Sequence, residues 1–224
     1  MSDAAARLPI VVLISGTGSN LRAIAERVHA GTLPVSIRAV VSDRAEAAGL
    51  AWATASGIAA VALSPRDYPD RASYDRALAE RVASFDPGLV VLAGFMRILG
   101  DEFVDRFAGR LVNIHPSLLP KYRGLHTHRR ALEAGDREHG ASVHFVTREL
   151  DGGPVVLQAR VPVRDDDDEA SLAARVLAEE HVIYPECIGW FAAGRLRLRD
   201  GSIFLDGRPL RTPLVRTADG VAHA

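Results

Sequence analysis

Asn113 and His115 stand two residues apart at the end of an apolar run, in LVNIHPSLLP from Leu111 to Pro120. Along a strand, residues two apart share a face, so an amide and an imidazole are aimed at one point. Further on, LDGGP (Leu150 to Pro154) presents Asp151 beside two glycines that let a loop pass close to other backbone. Such an Asn, His and Asp could manage proton transfer at an acyl centre. The amide and a protonated imidazole donate hydrogen bonds to a developing oxyanion. The carboxylate can hold and orient the imidazole. No serine or cysteine occupies a nucleophile context: Ser117 follows Pro116 at a strand end, with no G-x-S-x-G elbow. The attacking group then has to come from a substrate, which means direct transfer between two bound molecules. The plainer alternative for an inward histidine is a satisfied core residue; its place at a strand end, with Asn113 on the same face, argues against it.

A second candidate is SGTGSN, Ser15 to Asn20, between an apolar run and a helical pattern. Its glycines allow a tight turn and close backbone approach, and the helix start offers free N–H groups to an anion. Ser19 and Asn20 add side-chain donors. The nucleotide P-loop needs GK[ST], which is missing. The dinucleotide fingerprint needs a third glycine where Leu21 stands, although Asp43 imitates the ribose-binding acid. A phosphate monoester such as a sugar phosphate fits best; a Gly-rich turn without a ligand is the alternative.

These residues need a scaffold that brings strand ends together. Leu8–Ile14, Ile37–Ser42, Ala59–Leu63, Leu89–Ala93 and Leu111–His115 read as strands. They alternate with helical patterns at Leu21–His29, Glu46–Ser56 and Ser73–Phe85, the second stopped by Gly57. That alternation implies a Rossmann-like α/β fold: an open, twisted, mostly parallel sheet with helices on both faces. Ligands bind such sheets at the carboxyl ends of the strands, where Asn113 and His115 lie. In the second half, a short helix is expected at His128–Ala134, strands at Ala141–Thr147 and Val155–Val163, and a helix at Ser171–Tyr184. A hairpin across Asp200-Gly201 completes an antiparallel C-terminal extension, and the tail from Thr212 to Ala224 is expected to fray. The run Asp165–Asp168 reads as a solvated loop before a helix start, where negative charge is favourable.

Bulk properties narrow the class. A chain of 224 residues, 48% hydrophobic and 25% charged, suits one globular domain with a substantial core. A formal net charge of -1 gives no reason to expect nucleic acid or a membrane surface as partner. One cysteine, Cys187, excludes an intrachain disulfide and fits a reducing compartment. No secretory signal or membrane span is read, so the cytoplasm is the expected location.

Taken together, SGTGSNL, VVLAGFMRIL, NIHPSLLPKYRG, GLHTHRRALEAGDREHGASVHFVT and ELDGGPV resemble the folate-dependent phosphoribosylglycinamide formyltransferase family of purine synthesis, from about Pro9 to Leu205. NIHPSLLP with a downstream LDGGP is shared by formyltransferases that use 10-formyltetrahydrofolate. SGTGSNL and GLHTHRRALE narrow the likeness to the glycinamide ribonucleotide branch. The resemblance implies that glycinamide ribonucleotide seats its phosphate on Gly16, Thr17, Gly18, Ser19 and Asn20, with Glu180 near its amine. It implies a folate pocket from Met96, Arg97, Ile98 and Leu99, Asn113, and the loop Thr147, Arg148, Glu149, Leu150 and Asp151, with Arg71 meeting the glutamate tail. Asn113, His115 and Asp151 would be catalytic, with 10-formyltetrahydrofolate as co-substrate and no metal required. It divides the chain into a ribonucleotide-binding half, about 8–110, and a folate and catalytic half, about 111–205.

Sibling activities remain alternatives: a hydrolase releasing formate, or transfer of the same formyl group to methionyl-tRNA or a sugar nucleotide. The hydrolase and the tRNA enzyme usually carry an extra domain, which is not expected in a chain of this length. A non-catalytic nucleotide-binding module is a third reading. His126, His128, His139 and His144 cluster in sequence but lack zinc spacing; His128 is expected to start a helix and His144 to pack in a strand. Monomer and homodimer are both compatible with the sequence.

Overall fold

The computed structural model describes residues 7–217 and 220–223. Five strands follow the expected order: β1 (Leu8–Ile14), β2 (Val35–Ser42), β3 (Ala60–Ala62), β4 (Leu89–Leu92) and β5 (Leu111–His115). Helices α1 (Ser19–His29), α2 (Ala48–Ala55) and α3 (Arg71–Ala83) connect them, and α4 (Asp101–Arg106) adds a short helix before β5. After β5 come α5 (Thr127–Glu133), β6 (Glu138–Phe145), β7 (Val155–Pro162) and α6 (Glu169–Ala192). The strands β8 (Leu196–Arg199), β9 (Ser202–Leu205) and β10 (Arg208–Leu210) make a separate antiparallel sheet around the expected hairpin.

With β11 (Leu214–Thr217) and β12 (Gly220–His223) at one edge, the main sheet runs β12-β11-β7-β6-β5-β4-β1-β2-β3. The β1–β5 pairings are parallel, and β6 enters antiparallel between β5 and β7. Its end corrects the expectation of a frayed tail. Leu214–Thr217 (β11) lies parallel to β7, with Leu214 and Val215 buried, and Gly220–His223 (β12) pairs with β11. Burying two apolar side chains along an open sheet edge outweighs the polar composition of the tail. The remainder of that segment, 218, 219 and 224, lies outside the described residues.

The apolar run of β1 is buried on both faces, as a central parallel strand requires. Val11 and Leu13 pack with Tyr74, Leu78 and Phe103 of α3 and α4. Ile10, Val12 and Ile14 pack with Leu21 and Ile24 of α1, Leu50 of α2 and Ile183 of α6. A second correction concerns α6, expected to stop at Tyr184 but continuing through Pro185. The apolar face carries on beyond it, with Cys187, Ile188 and Phe191 buried. Burying such side chains, at roughly 1.5–3 kcal/mol for each large one, offsets the proline's local cost of about 3 kcal/mol. The Tyr184 hydroxyl of this helix reaches the carbonyls of Leu92 (2.8 Å) and Val112 (3.1 Å), tying together the ends of β4 and β5.

From β1 the chain passes to β2 on one side, while β4 lies on the other. The crevice between β1 and β4 is therefore the switch point at which open sheets bind ligands. Among the described residues, no helix is long and apolar enough to cross a membrane.

Candidate active site

Asn113 and His115 share a face of β5, as the two-residue period requires. Register decides what each one meets. Asn113 lies opposite His144 on antiparallel β6, and their side chains approach to 3.1 Å, Nδ2 to Nε2. His144 Nδ1 lies 3.0 Å from the Phe145 carbonyl, which can only accept, so Nδ1 carries the proton and Nε2 is the acceptor. Burial pushes the His144 pKa down, which keeps this tautomer neutral. Neutral His144 thus fixes the orientation of the Asn113 amide and leaves its second N–H for a ligand. From sequence His144 is expected only to pack in a strand; its contribution depends on the β5–β6 register, for which the sequence carries no signal.

His115 is buried, with Nε2 2.9 Å from the carbonyl of Tyr122. A carbonyl accepts, so Nε2 holds its proton and Nδ1 is the nitrogen left to gain or lose one. Nδ1 faces Asp151 Oδ2 at 3.5 Å. The same Oδ2 accepts the Gly124 N–H at 2.9 Å, and Oδ1 lies 3.8 Å from His144 Nε2. The three polar residues singled out in the sequence are therefore brought together, on β5 and on the loop after β6. The loop between β5 and α5 holds them, through Tyr122 and Gly124, and the sequence reading missed it. Both Tyr122 (φ 55°) and Asp151 (φ 48°) are left-handed, conformations uncommon for residues with a side chain.

The two glycines of LDGGP differ in function. A Cβ on Gly153 would lie 1.9 Å from the Phe145 carbonyl oxygen, whereas the nearest atoms to one on Gly152 belong to the Glu149 side chain. Gly153→Ala is expected to lower stability by roughly 1–3 kcal/mol, read by urea unfolding, because backbone must move. An unchanged midpoint would show that the loop has slack there.

A cleft beside Asn113, His144 and Asp151 is lined by Arg97, Ile98, Leu99 and the loop Thr147–Asp151. Leu92, Phe95, Val104 and Val146 complete its apolar wall, and the sequence reading did not name them. Ile98 and Leu150 expose large apolar side chains at this cleft, 58% and 49%. Met96, 64% exposed, is not among the residues lining this cleft, and its backbone N–H is held by the Ser15 hydroxyl oxygen. Arg97 stacks over the Tyr74 ring at 5.0 Å. Arg71, at the start of α3, donates to the Ile98 carbonyl at 3.0 Å and so stands at the edge of the same loop.

The glycine loop leads into α1, whose first turn has no side-chain cap and no acidic residue. Its first intrahelical bond is Arg22 N–H to Gly18 O, so the earlier N–H groups remain for an anion. Gly18 is left-handed (φ 73°) and packs against Gly49, while Gly16 and Thr17 are exposed. Two details differ from expectation. The Asn20 amide is buried and donates to Glu180 at 2.7 Å, where the expectation was a donor to an anion. Burial raises the Glu180 pKa, and the Asn20 bond opposes that rise. Asp43 is buried and accepts the Ser15 hydroxyl at 2.6 Å, which removes its likeness to a ribose-binding acid.

The remaining expectations are local. Asp168 caps α6 with a capping box and Asp167 pairs with Arg175 at 2.7 Å, so the acidic run serves the helix start. Among the described residues no three His, Cys, Asp or Glu side chains converge as a metal site. His139 packs 3.2 Å from His128, and burial first, then His128, lowers its pKa to about 4. The unfolded chain binds this proton near 6.5, so between pH 6.5 and about 4 it holds more protons than the fold does. Stability should therefore drop as the pH is lowered through that window, by up to roughly 1.4 kcal/mol per pH unit for such a histidine. Urea unfolding at pH 6.5 and 4.5 reads this. His139→Gln should flatten the slope, and an equal slope in the variant would contradict the assignment.

Comparison with known proteins converges on one group. A family model described as formyl transferase matches residues 8–188. The phosphoribosylglycinamide formyltransferase of Escherichia coli K12 is 56% identical over 201 residues, covering 90% of this chain and 95% of that protein. The Haemophilus influenzae protein of the same name is 47% identical over 201 residues, 90% and 95% of the two chains. Among solved structures, the phosphoribosylglycinamide formyltransferase of Coxiella burnetii superposes with a TM-score of 0.88 at 51% identity, covering 91% of this chain and 96% of that one.

Proposed function

The chain belongs to the formyl transferase family, and from that premise we propose that it moves the formyl group of 10-formyltetrahydrofolate to the amine of glycinamide ribonucleotide, a step of purine biosynthesis. The observation that carries the reading is the meeting of Asn113, His115 and Asp151 at the end of β5, beside a cleft with both apolar and polar walls and within the same sheet edge as an uncapped helix start.

The ribonucleotide phosphate sits on Gly16 to Asn20, held by backbone N–H groups at the start of α1. Glu180, buried and fixed by Asn20, faces the glycinamide end. The folate occupies the cleft, its ring system against the backbone of the 96–99 loop and the 147–151 loop, with Arg71 toward the glutamate tail. By chain order, 8–110 supplies the ribonucleotide half and 111–205 the folate and catalytic half, with the 96–99 loop and Glu180 each crossing to the other.

The amine attacks the formyl carbon, and the carbonyl electrons move to oxygen. The free Asn113 N–H and the His115 Nδ1–H stabilise that oxyanion. Asp151 accepts the proton the amine must lose, directly or through one water. His115 gives its Nδ1 proton to the departing folate nitrogen as the carbon–nitrogen bond breaks and the carbonyl reforms. The products are formylated ribonucleotide and tetrahydrofolate. Holding both substrates in one complex supplies much of the rate.

The test is tetrahydrofolate release from 10-formyltetrahydrofolate, followed spectroscopically with and without glycinamide ribonucleotide. Release that depends on the ribonucleotide supports transfer. Release without acceptor points to the hydrolytic sibling, and no release from folded protein would remove the assignment.

A further inference from the structure

Ser15 is the first residue after β1, at the switch point of the sheet, and is 3% exposed. Its hydroxyl donates to Asp43 Oδ1 at 2.6 Å, at the end of β2. Its oxygen accepts the backbone N–H of Met96 at 2.8 Å, in the loop after β4. Its own N–H donates to the Gly94 carbonyl at 3.0 Å, in that same loop. One buried side chain therefore ties three strand ends together. The direction of each bond is settled by chemistry. A carboxylate accepts, so the hydroxyl hydrogen points at Asp43, and the oxygen's remaining lone pairs face the Met96 N–H.

The residue also stands between two sites. Gly16, the next residue, opens the loop that leads into α1. Met96 opens the stretch Met96–Leu99, most of which borders the cleft. Residues 93–100 form neither helix nor strand, and Met96 and Ile98 expose 64% and 58% of their surface, so holding this loop in one conformation carries an entropic cost.

We propose that Ser15 is a positioning residue coupling the two substrate sites, an inference that rests on the function proposed above. An anion seated on residues 16–20 fixes the backbone on one side of Ser15. The hydroxyl then holds Met96, so part of the ordering of the 96–99 loop is complete before the folate arrives. Each substrate thereby strengthens binding of the other, by the same factor in both directions. Asp43 acts through Ser15 by orienting its hydroxyl. An amide oxygen at that position would do the same.

The experiment measures the affinity of tetrahydrofolate, which lacks the formyl group and cannot react, by calorimetric titration with and without saturating glycinamide ribonucleotide. In the wild-type protein the ribonucleotide should tighten tetrahydrofolate binding by about tenfold, an ordinary size for coupling between sites. Ser15→Ala should reduce that ratio to about twofold or less, while Asp43→Asn should keep most of it. A merely structural role would lower the melting temperature and both separate affinities while leaving the ratio intact, and that result would overturn the proposal. Should Ser15→Ala not fold, Ser15→Cys, of similar volume but a weak donor and acceptor, is read in the same way. A wild-type ratio of one, with ribonucleotide-dependent release of tetrahydrofolate still present, would sink the coupling and leave the proposed function standing. Failure of the wild-type protein to bind either compound would remove both.

Discussion

His115→Ala should lower kcat by roughly a thousandfold, in the middle of the range for losing a positioned general acid that also stabilises charge. With Nε2 committed to the Tyr122 carbonyl, Nδ1 is the nitrogen that can trade a proton, and it faces Asp151 at 3.5 Å. Alanine removes both functions. It also leaves a cavity and an unpaired carbonyl, so part of its effect is structural. His115→Gln separates the two: its amide can still donate to Tyr122, yet it does not titrate. Both variants should lose turnover at saturating substrates, and the glutamine variant should keep KM for the ribonucleotide within about threefold. Turnover of His115→Gln within about tenfold of wild type would assign the histidine to packing and move the acid–base role elsewhere.

Asp151→Asn is the second large effect: a fall in kcat of roughly a hundredfold to a thousandfold, with tetrahydrofolate affinity changed less than about fivefold. The substitution is clean for a conformational reason. Asp151 is left-handed, at φ 48°, and asparagine is among the few side-chain-bearing residues that adopt this region readily. The amide oxygen can still accept the Gly124 N–H, which the carboxylate accepts at 2.9 Å. Loop geometry is therefore preserved while the charge facing His115 is removed and the base for the amine's proton disappears. Asp151→Ala would combine that loss with backbone strain and a freed N–H, which makes it the poorer test. Collapse of folate binding with turnover held would make Asp151 a folate ligand.

Both predictions depend on contacts that differ in how far they could be read in advance. Asn113 and His115 follow from spacing, because the two-residue period of a strand leaves no freedom about which side chains share a face. Asp151 came from composition, an acid beside glycines, and from a motif resemblance. By contrast, His144 looked like one more apolar-strand histidine. It enters the site because β6 runs antiparallel to β5 in the register that sets it opposite Asn113. Asn20, expected to donate toward an anion, turns to Glu180, and Asp43, which only imitates a ribose-binding acid in sequence, accepts from Ser15. A side chain's partner across 28 or 160 residues of chain is set by packing, which local pattern does not encode.

What the sequence determined alone was the order and type of the elements from β1 to β9 apart from the short α4, the strand ends that carry chemistry, and the family. Apolar runs and glycine stops are local physics, and they act wherever the chain is placed. What only the tertiary structure decided was extent and partnership. Alpha-helix α6 passes Pro185 because its buried face continues, and the tail becomes strands β11 and β12 because an open sheet edge lay beside it. The same holds at the site: the protons of His115, His144 and Asn113 are assigned by a carbonyl or a ring nitrogen brought within about 3 Å by folding, the ordinary reach of a hydrogen bond.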